Sequence, residues 1–225
     1  MPDEPHEALI FDMDGTLLDT IDDLADCMNR VLGRGGFGPH PVAAYRYFVG
    51  DGMENLVRRS LPEASRTAET VARLKEEMRR EYAEHWADKT RPYDGIPELL
   101  HGLGERGVRM AILSNKPDAF TREMSAHYFP AGLFAQVVGA RDGAPRKPDP
   151  AAALQIAEAL QVPPERVLYL GDTNTDMQTG RSAGMFTVGA LWGFRSKQEL
   201  LDNGAQGLVE RPAEVLGWFG AGRTR

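Results

Sequence analysis

The sequence predicts an α/β protein: a doubly wound parallel sheet carrying an inserted unit of helices. Short apolar runs alternate with helix-forming segments, as in consecutive strand–helix–strand units. Several of those helical segments open on proline, which suits a first turn. Between residues 20 and 89 the alternation stops and only helical patterns occur.

Taken in order, Ala8-Leu9-Ile10-Phe11 is an apolar run ending at Asp12, the pattern of a buried parallel strand that delivers its last residue to a site. Further strands are expected over 108–113, 137–138, 167–170 and 186–191, with helices over 97–106, 117–127, 150–160 and 175–183. Inside the insertion, helices are expected over 21–32, 42–48, 55–61 and a charged 65–86, the first closed by the glycine-rich stretch 33–38. The expected division is a core domain of residues 1–18 and 90–225 and a helical cap of residues 19–89. Placed between the first and second strands, such a cap lies over the carboxyl ends of the sheet, where open α/β sheets bind ligands. The crossings near Asp19 and Thr90 to Asp94 are the expected hinges of a cap that opens and closes.

Composition narrows the function. The 225 residues carry 26 Lys and Arg against 33 Asp and Glu, a net charge of -7 with the basic residues scattered, so nucleic acid is not an expected partner. Cys27 is the sole cysteine, which excludes an intrachain disulfide. The acidic start, Met1 to Glu7, differs from the basic start of a secretory signal, and no stretch has the apolar length of a membrane span, so a cytoplasmic protein is expected. The histidines do not fall at the close spacing of helical zinc ligands. Nothing in the pattern separates a monomer from a homodimer.

The chemistry concentrates where strands end. In Asp12-Met13-Asp14-Gly15-Thr16 two carboxylates spaced two apart can enter one crevice, one to attack and one to manage protons, while Gly15 lets the backbone turn and offer N–H groups to phosphate oxygens. Ser114-Asn115-Lys116 stands at the end of the next strand, before a helix whose first amides can cradle phosphate; the plainer role for Ser114 is to cap that helix. Lys147, in Arg146-Lys147-Pro148-Asp149-Pro150, offers a point charge for phosphoryl oxygens. In Gly171-Asp172-Thr173-Asn174-Thr175-Asp176, Asp172 is the expected direct ligand of Mg²⁺, and Asp176 acts through water or by holding Lys147.

Together these segments resemble the four motifs of the haloacid dehalogenase superfamily, and the likeness covers nearly the whole chain. It implies a Rossmann-like core with a helical cap, Asp12 as nucleophile, Asp14 as general acid and base, and phosphate bound by Gly15, Thr16, Ser114, Asn115 and Lys147. It also implies Mg²⁺ held by Asp12, the Asp14 carbonyl and Asp172. Within the superfamily, Phe48-Val49-Gly50-Asp51-Gly52, Ser114-Asn115-Lys116-Pro117 and Leu191-Trp192-Gly193-Phe194 are similar to phosphoglycolate phosphatases. That similarity implies 2-phosphoglycolate as the substrate, with Arg46, Gly50, Asp51, Gly52 and Lys116 toward its organic part and Trp192 at the rim or in the core. The superfamily's dehalogenases lack the second carboxylate that Asp14 supplies here. A sugar-phosphate mutase, a pyrophosphatase, a nucleotide or sugar phosphatase and a non-catalytic metabolite sensor are the alternatives.

Overall fold

In the computed structural model, which describes residues 6–220, six parallel strands form the central sheet. The start at Met1 to Pro5 and the tail after Gly220 lie outside the described residues. The central strand is β1 (Ala8–Phe11), flanked by β4 (Arg109–Pro117) and β6 (Val167–Gly171). Beyond them lie β5 (Gln136–Ala140) on one side and β7 (Phe186–Ala190) then β8 (Gly207–Val209) on the other. The chain thus winds outward from β1 in one direction and then in the other. The carboxyl ends of β1 and β6 flank the point where the order reverses, the usual position of a ligand crevice.

Residues along β1 alternate between two cores. Leu9 and Phe11 join a cluster with Ile96, Leu99 and Leu103 of α5 (Ile96–Glu105); Ala8 and Ile10 join Ala153, Ile156 and Leu160 of α7 (Ala151–Leu160). Both faces of the sheet are therefore covered, which a strand apolar at every position requires. Two further helices complete these layers, α6 (Asp118–Tyr128) and α8 (Asn174–Ser182), with the short α9 (Lys197–Asp202) before β8.

The stretch after β1 holds α1 (Ile21–Arg34), α2 (Val42–Phe48), α3 (Met53–Ser60) and α4 (Ala68–His85). The long charged helix starts at Ala68, three positions after the expected 65, because Thr67 accepts the Thr70 N–H as its cap while residues 63–65 form a separate 3₁₀ turn. Sequence reading missed β8 and α9. It also missed a two-stranded antiparallel ribbon, β2 (Leu18–Asp19) with β3 (Arg91–Pro92), which joins the two crossings of the chain between sheet and helices. Strands of two or three residues have no period to read. Buried Asp23 fastens this region, accepting the backbone N–H of Lys89 at 3.0 Å and of Thr90 at 2.8 Å, and the Thr90 hydroxyl at 2.7 Å.

Candidate active site

The strand-end residues converge above β1, β4 and β6. Lys147, from the loop before α7, places Nζ 2.8 Å from Asp12 Oδ1 and 2.6 Å from Asp176 Oδ1, and all three side chains are buried. Burial by itself works against the ammonium charge. Asp12 and Asp176 outweigh it and hold Lys147 well above the ordinary lysine pKa. Asp12 feels burial first and the Asp176 charge second, and with Lys147 pulling back its carboxyl is pushed up to about 7. Asp172 is likewise held well above the usual carboxylate range, by burial and then by Asp12 and Asp176.

The Asp172 carboxylate is fixed from two sides. Thr16 Oγ1 donates to Oδ1 at 2.8 Å and the Phe194 backbone N–H donates to Oδ2 at 2.8 Å. Gly15 is needed in this cradle: its φ is +88° and a Cβ there would stand 2.3 Å from Asp172 Oδ2. A Cβ on Gly193 would stand 2.2 Å from the Asp172 Cβ. Trp192, expected at the rim or in the core, packs half-buried against the core and donates its indole N–H to the Thr16 carbonyl at 3.0 Å, bracing the same turn.

Carboxylate oxygens of Asp12, Asp172 and Asp176 lie within 4.8 Å of one another. Both oxygens of Asp176 are engaged, Oδ1 by Lys147 and Oδ2 by the Thr173 N–H at 3.0 Å and hydroxyl at 2.6 Å, in a capping box that starts α8. Each oxygen of Asp172 accepts one bond, from Thr16 and from Phe194, and Asp12 meets Lys147 through Oδ1, so these two keep lone pairs for a cation while Asp176 holds Lys147. Hard oxygens packed this closely in a buried site, with a single lysine among them, suit a divalent cation.

Several expected phosphate and substrate contacts are differently employed. The Gly15 N–H donates to the Leu18 carbonyl at 2.9 Å, and Thr16 spends its N–H on the Met13 carbonyl at 3.3 Å and its hydroxyl on Asp172, so these two shape the loop. Asn115 is a brace: its amide accepts the Lys147 N–H at 3.0 Å and donates to the Lys147 and Gly50 carbonyls, each at 3.1 Å. Ser114 is no helix cap, since β4 runs on through Pro117. Its Oγ accepts the Lys116 N–H at 3.2 Å, which leaves the hydroxyl proton to donate. Arg46 donates to the Gly193 carbonyl at 3.1 Å, and Asp51 pairs with Arg59 and accepts the Thr175 hydroxyl at 2.9 Å.

Over Asp12 and Asp14 lies a cavity of about 40 Å³, room for a few water-sized groups. Ser114, Asn115, Lys116, Gly50 and Gly52 line it beside the carboxylates, and Leu24, Val49, Met53, Leu56, Tyr82 and Phe120 close it from above. Sequence reading did not single out Tyr82 or Arg195. Tyr82 follows Val71, Leu74 and Met78 on the buried stripe of α4 and reads there as core. Arg195 donates to the carbonyls of Arg46 and Val49 at the end of α2, tying the helices down onto the core.

The family model described as haloacid dehalogenase-like hydrolase matches residues 9–190. A phosphoglycolate phosphatase of Psychrobacter arcticus is 32% identical over 200 residues, covering 86% of this chain and 87% of its own. An N-acetylmuramic acid 6-phosphate phosphatase of Pseudomonas aeruginosa is 32% identical over 211 residues, covering 93% of each chain. Among solved structures, a candidate phosphoglycolate phosphatase from Lactobacillus delbrueckii superposes with a TM-score of 0.90 at 32% identity, over 97% of this chain and 100% of that one.

Proposed function

The chain belongs to the haloacid dehalogenase-like hydrolases and is a phosphoric monoester hydrolase; we propose that it is a magnesium-dependent phosphatase of a small ester, 2-phosphoglycolate above all, working through a phosphorylated Asp12. The observation that carries this reading is that two carboxylates from the end of β1 and a serine of β4 line one cavity, with the buried Lys147 ion-paired to the first carboxylate. The substrate is favoured by the names of several relatives.

Asp12 attacks phosphorus, an Asp12 O–P bond forms and the ester P–O bond breaks, and Asp14 gives its proton to the departing oxygen. Water then attacks the same phosphorus as Asp14 takes its proton. The Asp12 O–P bond breaks and inorganic phosphate is formed. Ser114 donates to a phosphoryl oxygen, while Lys147, held by Asp176, meets the charge that builds on the others. Asp12, the Asp14 backbone carbonyl and Asp172 would hold Mg²⁺, which supplies charge neutralisation at the phosphoryl group. The helices of residues 19–89 act as a cap that excludes water during transfer, the β2–β3 ribbon being the place where it bends.

The test is phosphate release from a panel of 2-phosphoglycolate, sugar phosphates, nucleotides and pyrophosphate, with magnesium or chelator, alongside Asp12→Asn. Magnesium-dependent release that the variant abolishes supports the mechanism, and a sharp preference for 2-phosphoglycolate supports the substrate. Release that survives in chelator or in Asp12→Asn overturns it.

A further inference from the structure

The cavity's lining contains a pairing that the catalytic steps leave unused. Lys116 Nζ lies 3.0 and 3.2 Å from the two oxygens of Asp14 and 2.9 Å from the hydroxyl of Tyr82, with both residues buried. Of the ammonium's three protons, these bonds occupy one shared across the carboxylate and one on the phenol oxygen. Among the described residues the Tyr82 proton has only the Met124 sulfur at 3.9 Å, a weak acceptor. Burial first, and the Asp14 charge next, hold the phenol well above its usual pKa, so it stays a donor. Two donors therefore stand at the cavity wall with capacity to spare.

We propose that Lys116 and Tyr82 form a leaving-group subsite that reads a carboxylate next to the ester oxygen, selecting phosphate esters of small 2-hydroxy acids over neutral esters and over sugar phosphates. The inference rests on the phosphatase reading above. Its position follows from Asp14: the residue that protonates the departing oxygen is the one Lys116 touches, so a group that Lys116 binds lies on the leaving-group side of the reacting phosphorus. Among the other lining residues, the side chains of Leu24, Val49, Leu56 and Phe120 offer an anion no partner, Asn115 is spent on Gly50 and Lys147, and Ser114 serves the phosphoryl group, and a buried carboxylate without a partner is strongly disfavoured. Tyr82 comes from α4, so the subsite is complete only while the helices sit on the core.

The experiment compares kcat/KM of the full chain, with magnesium, for 2-phosphoglycolate and for its neutral carboxamide analogue. The wild type is expected to prefer the acid by about 100-fold, since a site built to bond a polar group discriminates strongly against an analogue lacking it. Tyr82→Phe, which keeps the ring against Phe120, is expected to lower that ratio about tenfold, mainly through KM for the acid. Lys116→Met is expected to bring it near unity. Equal kcat/KM for acid and amide in the wild type, a ratio that both variants leave unchanged, or a better rate on a hexose phosphate overturns the subsite while the phosphatase reading stands. No hydrolysis of any ester by the wild type overturns that reading, and the subsite with it.

Discussion

Replacing Lys147 with methionine removes the cation between Asp12 and Asp176 while keeping the length of the side chain. Lys147 lies 2.8 Å from one carboxylate and 2.6 Å from the other, all in the interior, so the variant leaves two buried carboxylates, and Asp172 beside them, without their shared partner. Breaking a buried pair by removing one member costs about 3–5 kcal/mol. For a chain of this length that corresponds to a fall of roughly 6–20 °C in melting temperature. The penalty has a definite pH sign. Burial and Asp176 already raise the Asp12 carboxyl from 3.8 to about 7, and Lys147 is what restrains it. A raised folded-state pKa gives stability that is present below pH 3.8 and lost as pH rises toward 7, and removing the lysine enlarges that loss. Thermal melts followed by circular dichroism at pH 5 and pH 8 should show Lys147→Met losing more at pH 8. Magnesium should recover part of the loss by supplying charge to the same carboxylates. A loss below about 1 kcal/mol that does not change with pH would refute the reasoning.

Other expectations follow from the same geometry. Gly15→Ala places a methyl group 2.3 Å from Asp172 Oδ2 at a φ of +88°, so magnesium affinity measured by calorimetry should fall, with phosphate release down by about 100-fold or more; unchanged affinity would contradict the cradle. Arg195→Ala removes a buried guanidinium from the carbonyls of Arg46 and Val49; each such bond contributes roughly 1.5–3 kcal/mol, so proteolysis at the β2–β3 ribbon should speed up by about 100-fold or more. Equal cleavage rates would remove Arg195 as a tie. His6 is buried between Phe186 and Phe219, with neither ring nitrogen bonded among the described residues, and burial lowers its pKa from 6.5. Its lowered folded-state pKa means that stability is lost as pH falls below 6.5, since the unfolded chain takes the proton first. His6→Leu should flatten the pH dependence of urea unfolding between pH 7.5 and 5.5, and an unaltered slope would refute the assignment.

The parts of the molecule legible in the sequence are those with a period or a punctuated end. Ala8 to Phe11 and Val167 to Leu170 are apolar at every position because both faces of the sheet are covered, and each stops at an acidic or glycine-acidic step that marks the crevice. For Asp176 the sequence left two roles open, acting through water or holding Lys147, and the folded chain sets its Oδ1 2.6 Å from the Lys147 Nζ. The bonding of Gly15, Thr16 and Asn115 was not. Their residue types suit phosphate, and only the folded loop assigns the donors of the first two to Leu18, Met13 and Asp172, and the Asn115 amide to Gly50 and Lys147. Tyr82 was hidden differently, since along α4 it completes an apolar stripe and only the seating of α4 brings its hydroxyl to Lys116.

The central claim, that phosphate passes through Asp12, is tested most directly by trapping it. Asp14→Asn, saturated with 2-phosphoglycolate and magnesium and quenched in acid within one turnover, should carry a single phosphoryl group that peptide mapping by mass spectrometry places on Asp12. Phosphate release with no phosphorylated protein at any quench time, or a phosphoryl group on another residue, would contradict the account.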